Sequence, residues 1–111
     1  MGETDDWTIF GRAGEEIEAC RRAGVPVSVV PGITTRWHRL VGTIERYVII
    51  EGRARVEVGD LPPREVAAGD VVIIPALCRQ RITNIGTQDL TFLAICTPRF
   101  QQKNYEDVEK P

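Results

Sequence analysis

The stretch from Gly32 to Gly52, GITTRWHRLVGTIERYVIIEG, decides the fold predicted for this chain. It holds the only histidine of the 111 residues, His38, and a glutamate, Glu45, that follows seven residues later. It ends in an aromatic and β-branched run, residues 47–50, which is typical of a β-strand. A histidine and a glutamate on adjoining strands can share a pocket, so the same stretch is the first candidate for a functional site.

Around this stretch, the chain consists of short strand patterns separated by turns. Residues 53–58 alternate between charged and apolar side chains, as a half-buried strand does. The other predicted strands, most of them bounded by Gly or Pro, are 27–30, 34–40, 44–50, 65–67, 71–74, 79–84 and 90–96. Many short strands with such punctuation favour an all-β sandwich or barrel.

The two ends of the chain give weaker patterns. Residues 14–22 fit either one short helix or an extended N-terminal arm. Trp7, Ile9 and Phe10 would anchor such an arm to the barrel. The tail after Pro98 is polar, and we predict that it lies over the surface with one short helical turn.

Composition limits the classes of function. The 14 basic residues nearly balance the 16 acidic ones, which argues against a nucleic-acid surface or a polybasic membrane patch. No apolar run approaches the ~20 residues of a membrane span, and the acidic N-terminus lacks a signal core, so we predict a cytoplasmic protein. The three cysteines show no CxxC pattern, which argues against a disulfide framework or a cysteine zinc site.

The Gly32–Gly52 stretch resembles the first motif of the cupins, G-x5-H-x-H-x4-E-x6-G. Four motif positions match in order: Gly32, His38, Glu45 and Gly52. The position of the second histidine is Leu40. This motif alone is loose, and it gains weight from a second motif further along the chain.

Residues 69–84 resemble the second cupin motif, G-x5-P-x-G-x2-H-x3-N. Gly69, Pro75 and Asn84 match, whereas Leu77 takes the position of the glycine and Gln80 that of the histidine. The 16 residues between the motifs suit the short cupin type. The two motifs together, in this order and at this separation, are fairly specific for the fold.

The resemblance implies an all-β fold, a double-stranded β-helix or jelly-roll-like cupin barrel with an N-terminal arm and a short C-terminal tail. We predict a single domain over residues 1–111, with the barrel core at about 27–97. Small cupins are commonly homodimers. The strand 44–50 is apolar on both faces, so its outer face must be covered by the arm or by a partner.

The resemblance also implies a metal site. Cupins usually hold a metal with the two histidines and the glutamate of the first motif and the histidine of the second. By position these are His38, Leu40, Glu45 and Gln80, of which Leu40 cannot ligate. The remaining three could hold a divalent ion, in a Lewis-acid rather than a redox role.

Each of these ligands has another interpretation. His38 could be a hydrogen-bonded lumen histidine without metal. Glu45 could form an ion pair with His38 or Arg36. Gln80 could bind substrate or simply fill space. Strand alternation adds that, if His38 points into the lumen, Arg36 and Leu40 do so as well, while Glu45 brings Tyr47 and Gln80 brings Ile82.

Further substrate contacts are predicted at Arg36, Tyr47 and Cys78. Tyr47 shares a strand face with Glu45, and either could move protons, although Tyr47 could also only line the lumen. Cys78 lies two residues before Gln80 and could reach the barrel mouth. Arg36 could bind a carboxylate or phosphate, but an exposed surface arginine is the default.

Three functions follow from these residues. The first is a divalent-metal-dependent isomerase or lyase acting on a sugar or oxo-acid, with Glu45 or Tyr47 as the catalytic acid or base. The second is a non-enzymatic barrel that binds a small molecule. The third is a metal-free enzyme with His38 as base and Tyr47 as acid. The fold alone does not choose among them.

Overall fold

The computed structural model describes residues 26–98 and 101–109, together with the backbone of residues 8–10 and 25. The predicted helix or arm at 14–22 and Trp7 lie outside these residues. A short 3₁₀ helix, Gln102–Asn104, precedes the last strand. No helix in the described part of the chain is long and apolar enough to cross a bilayer. The described strands are β1 Thr8–Phe10, β2 Val25–Val29, β3 His38–Leu40, β4 Ile44–Glu51, β5 Arg53–Val58, β6 Arg64–Ala67, β7 Val71–Ile74, β8 Gln80–Asn84, β9 Leu90–Thr97 and β10 Tyr105–Asp107.

The strands form two five-stranded sheets in which every paired neighbour is antiparallel. The first sheet has the order β1-β7-β4-β9-β2, and the second has the order β10-β3-β8-β5-β6. Strands distant in sequence are therefore neighbours in space, as in β4 between β7 and β9. The predicted all-β, jelly-roll-like double-stranded β-helix is confirmed.

The core lies between the inner faces of the two sheets. Tyr47, Ile49 and Phe92 of the first sheet pack in one buried cluster with Val56 and Ile82 of the second. Along β5 every second residue is buried, as its alternation predicts. Burial of this apolar surface is the main term that holds the sheets together.

The outer face of the first sheet carries a second, smaller apolar cluster. Val48 and Val71 are fully buried there, and Leu93 is nearly so. Since this burial occurs within the single chain, these positions do not require a partner subunit to cover them. Ile44 on the same face is 42% exposed, so the homodimer stays a prediction.

Two segments differ from their predictions. The strand expected at 34–40 is reduced to β3, because the Thr35 hydroxyl accepts the Ile82 backbone N–H at 3.0 Å and takes the place of a ladder carbonyl. Thr34 keeps only an isolated bridge to Thr83. The tail contributes more than a helical turn, since its residues 105–107 form β10 on the free edge of β3.

The barrel has two distinct ends. We call the end with turns 41–43, 59–63 and 75–79 the site end, and the end with turns 51–52, 68–70 and 85–89 the far end. At the far end, Gly52 has φ +99°, and a Cβ on it would lie 3.0 Å from the Leu90 Cα. A glycine is therefore required where the chain turns from β4 into β5.

Asn84 fixes the same end with its buried side-chain amide. Its Nδ2 donates at 2.8 Å to the carbonyls of both Val29 and Gln88, and its Oδ1 accepts the Gly86 N–H at 2.8 Å. One side chain thus joins the end of β2 to the turn between β8 and β9. These bonds give the motif asparagine a structural role.

Candidate functional site

The centre of the site end is a buried polar chain that joins the two sheets. Glu45 and Tyr47 lie two residues apart on β4 and point inward, and Gln80 begins β8 on the opposite sheet. The Tyr47 hydroxyl donates to Gln80 Oε1, and the Gln80 side chain also hydrogen-bonds the Glu45 carboxyl group. The three side chains are at most 7% exposed. The structure brings these three predicted site residues together.

The buried Glu45 carboxyl has too few hydrogen bonds to offset the loss of its contact with water. Its Oε1 atom is buried and has no hydrogen-bond partner among the described residues. Burial raises the pKa of Glu45 to about 7, although the hydrogen bond from Gln80 opposes this rise. A carboxyl in this state exchanges a proton near neutral pH, as a general acid or base must.

Burial also raises the pKa of two groups around Glu45. The Tyr47 pKa is well above its usual value of 10.0, first through burial and then through the Glu45 charge. Cys96, opposite Glu45 on β9, has a pKa of about 11 for the same two reasons. Both therefore stay protonated at neutral pH, so Cys96 lines the site as a thiol.

His38 lies beside this chain with its tautomer fixed. It pairs with Gln80 across β3 and β8, so both side chains project from the same face of the sheet. Its Nδ1 is 2.8 Å from the Arg36 carbonyl oxygen. Because a carbonyl only accepts, Nδ1 carries a proton, and Nε2 is the ring nitrogen left to contact a ligand.

The C-terminal strand completes this wall of the site. Tyr105 stacks on the His38 ring, with centroids 5.3 Å apart and an interplanar angle of 17°. Asp107 lies opposite His38 and pairs with the Arg36 guanidinium, which lowers the pKa of Asp107. Arg36 is thus engaged in an exposed ion pair, the default interpretation of its role, rather than directed at the Glu45 carboxyl.

Sequence reasoning missed Tyr105, Asp107 and Cys96 as site residues. The first two depend on the register of β10 on β3, for which three residues of strand give no periodic signal. Cys96 had a usable signal, since it alternates inward with Phe92 and Ala94 along β9. Its position beside Glu45, however, needed the β4–β9 register.

Cys78 lies at the site end but in a neighbouring pocket. This pocket has a volume of about 310 Å³, and its described lining is Val58–Leu61 and Cys78. Val58 pairs with Gln80, so the pocket borders the polar chain. The prediction that Cys78 reaches the barrel mouth fits this position.

Leu77 marks the loop before β8 with an unusual backbone. Its φ is +71°, and it is the only non-glycine residue with positive φ among the described residues. Its N–H donates to the Leu40 carbonyl at 2.8 Å, while its side chain is 56% exposed. The second motif has a glycine at this position, and the backbone has the positive φ that favours glycine although the residue is leucine.

Trp37 lies on the opposite side of the backbone from His38. The guanidinium carbons of Arg79 and Arg81 are each 4.4 Å from the centre of its ring. Its backbone N–H donates to Glu109 Oε1 at 2.7 Å, and its carbonyl accepts the Val108 N–H at 2.9 Å. Trp37 therefore ties the tail to the outside of the site wall.

The residues present do not fit a metal centre of the usual four-ligand kind. His38 Nε2 and Glu45 Oε1 are suitable donor atoms, but Leu40 offers none and Gln80 Oε1 already accepts from Tyr47. Within the described residues no group of three or more His, Cys, Asp and Glu side chains could hold an ion. Two free donors are fewer than the three protein ligands typical of catalytic metal sites.

Comparison with known proteins supports the fold over most of the chain. The family model described as a cupin domain matches residues 26–96. A conserved protein with a double-stranded β-helix domain from Klebsiella pneumoniae superposes with a TM-score of 0.69 at 19% identity, covering 99% of this chain and 76% of that one. Oxalate decarboxylase from Lactobacillus farciminis, solved as a formate complex, gives 0.68 at 22% identity over 96% of this chain and 32% of that one.

The curated relatives match only a short segment. Uroporphyrinogen-III C-methyltransferase from Paracoccus denitrificans is 69% identical over 29 residues, which are 26% of this chain. The matched segment spans 10% of that protein's length. Such a match describes a segment and not the protein as a whole.

Proposed function

This chain belongs to the cupin family, and we propose that its barrel binds a small polar molecule at the site end without a metal ion. The observation that carries the proposal is the buried Glu45 carboxyl, whose Oε1 has no partner among the described residues. A buried polar atom left unpaired costs free energy that a bound ligand can recover. The neighbouring pocket beside Cys78 offers room for the rest of such a ligand.

Each polar side chain has a defined role in this proposal. Glu45 binds the ligand directly through Oε1. Gln80 orients the Glu45 carboxyl and is itself oriented by Tyr47, since its amide accepts from one and donates to the other. His38 presents Nε2 to the ligand as a hydrogen-bond acceptor or base.

A metal-free acid–base activity is a second candidate, and the state of Glu45 favours it. A carboxyl with a pKa of about 7 can both give and take a proton near neutrality. Tyr47, the acid considered from sequence, suits that role less well, because its proton is donated to Gln80 and its pKa is well above 10.0. Glu45 and His38 would then handle the protons, and Tyr47 would position Gln80.

The binding proposal is tested with a panel of small polar probes: lactate, pyruvate, glycerol and glucose. Ligand-observed NMR would compare the wild type with Glu45→Gln, and with Glu65→Gln as a matched control on an exposed strand. We expect at least one probe to bind the wild type and the control, and to bind Glu45→Gln about ten-fold more weakly. Equal binding by all three proteins, or no binding by any, would reject the proposal.

The metal-dependent isomerase or lyase remains the competing prediction, because His38 Nε2 and Glu45 Oε1 are both available donors. Elemental analysis after dialysis decides between them. Our proposal expects substoichiometric metal that does not change in His38→Ala. Stoichiometric metal that is lost in this variant would favour the competing prediction instead.

The homodimer and the cytoplasmic location also remain predictions. Light scattering on the purified chain would give its mass directly, against 12.4 kDa for one copy. Absence of nucleic-acid binding is expected from the balanced charge, and a gel-shift assay at low salt would test it.

A further inference from the structure

A second unpaired oxygen lies next to Glu45 in the site. The Thr43 hydroxyl is buried and, like Glu45 Oε1, has no hydrogen-bond partner among the described residues. Thr43 is 2% exposed and Glu45 is 7% exposed. Two buried unpaired oxygens two residues apart are unusual, because nearly all buried polar atoms in folded proteins are paired.

The local backbone places both oxygens on the inner side. Residues 43 and 45 flank Ile44, whose side chain is 42% exposed and points outward. In an extended segment, residues i and i+2 share a face. Thr43 therefore continues inward the row formed by Glu45 and Tyr47, and it is the last residue of the turn 41–43 at the site end.

We propose that Thr43 is a specificity-determining residue, and that Thr43 Oγ1 and Glu45 Oε1 together bind a hydroxyl group of the ligand. This inference rests on the proposed binding function and assigns its ligand to the class of hydroxylated small molecules. A ligand hydroxyl can accept a hydrogen bond from the Thr43 O–H and donate one to Glu45 Oε1. One group thus satisfies both atoms.

Other ligand groups satisfy the pair less well. An apolar group would leave both oxygens unpaired. A carboxylate would repel the Glu45 carboxylate or compete for its proton. An ammonium group would require an ionised Glu45, which burial disfavours.

The test uses neutral probe pairs in which only one member carries a hydroxyl: hydroxyacetone against acetone, and glycolamide against acetamide. Affinities for the wild type, Thr43→Val and Thr43→Ser would be measured by ligand-observed NMR. Thr87→Val, on an exposed turn of the far end, is the matched control. We expect the wild type, Thr43→Ser and the control to prefer the hydroxylated member roughly ten-fold, and Thr43→Val to lose that preference.

A second measurement separates ligand binding from a structural role. If the Thr43 hydroxyl is unpaired in the free protein, Thr43→Val should melt at the same temperature as the wild type or higher, because valine removes an unsatisfied group. A clearly lower melting temperature with an unchanged preference would overturn the inference. It would also be overturned, with the proposed function intact, if the wild type bound both members of each pair equally. If the wild type bound no probe, both proposals would fail.

Discussion

The two ends of the barrel use their motif residues differently. At the far end, Gly52 and Asn84 are the residues that the cupin motifs have at these positions, and each stabilises the backbone conformation. Gly52 forms a turn with φ +99°, and the buried Asn84 side chain makes three hydrogen bonds to the backbone. At the site end, Leu40, Leu77 and Gln80 all depart from the motif. The departures are therefore confined to the end where ligands would bind.

This difference separates the motif positions that stabilise the barrel from those that would contact a ligand. A residue that satisfies backbone groups cannot change without disturbing the barrel, whereas a ligand position can change if its neighbours repack. Gln80 illustrates the second case, since it is 1% exposed, accepts a hydrogen bond from Tyr47 and donates one to Glu45. The cupin fold can thus be kept while the side chains at the site end are replaced.

The largest effect is expected at the far end. Asn84→Ala removes one buried and two partly buried hydrogen bonds and leaves two carbonyls and one N–H to find other partners, so we expect a loss of about 4 kcal/mol in the free energy of unfolding. Urea denaturation would measure it. Gln88→Ala is the control, because its side chain is exposed and only its backbone carbonyl bonds Asn84. A loss below about 1 kcal/mol for Asn84→Ala would contradict the structural role of this end.

The next effect is a pH dependence that belongs to the site end. The pKa of Glu45 is raised from 4.5 to about 7 in the folded protein, so the folded state binds its proton more tightly than the unfolded state does. The associated stability is fully present below pH 4.5 and is lost as the pH rises through about 7, by about 3 kcal/mol in total. Urea denaturation as a function of pH would follow this loss.

Glu45→Gln keeps the shape of the side chain but removes its ionisation, so it should flatten that pH profile. Glu65→Gln, whose carboxyl is exposed in an ion pair with Arg53, should leave the profile as in the wild type. An unchanged slope in Glu45→Gln would mean that another group is responsible.

The smallest effect tests the departure at Leu77. Leu77→Gly should raise the free energy of unfolding by about 0.5–1 kcal/mol, because release of the positive φ outweighs the greater chain entropy of glycine. Leu77→Ala keeps the Cβ and its strain while removing the exposed side chain, so it should bring no such gain. A destabilised Leu77→Gly would indicate that the leucine side chain supports the barrel.

The barrel could be predicted from sequence because turns, alternation and motif spacing are local properties. The site could be predicted only in part. Alternation places Glu45 and Tyr47 on one face of β4, but their link to Gln80 crosses from one sheet to the other. Tyr105 and Cys96 reach the site through strand register, which depends on the pairing of distant segments and is not encoded in any short pattern.

The position of Trp37 makes its fluorescence a probe of the site wall. Its indole ring is in contact with two guanidinium groups, and its backbone holds residues 108 and 109 of the tail. Indole emission responds to nearby charge, so displacement of β10 from β3 would change the fluorescence of this residue. The chain has one other tryptophan, Trp7, and replacing it with phenylalanine would leave a single indole fluorophore directly behind the histidine of the site.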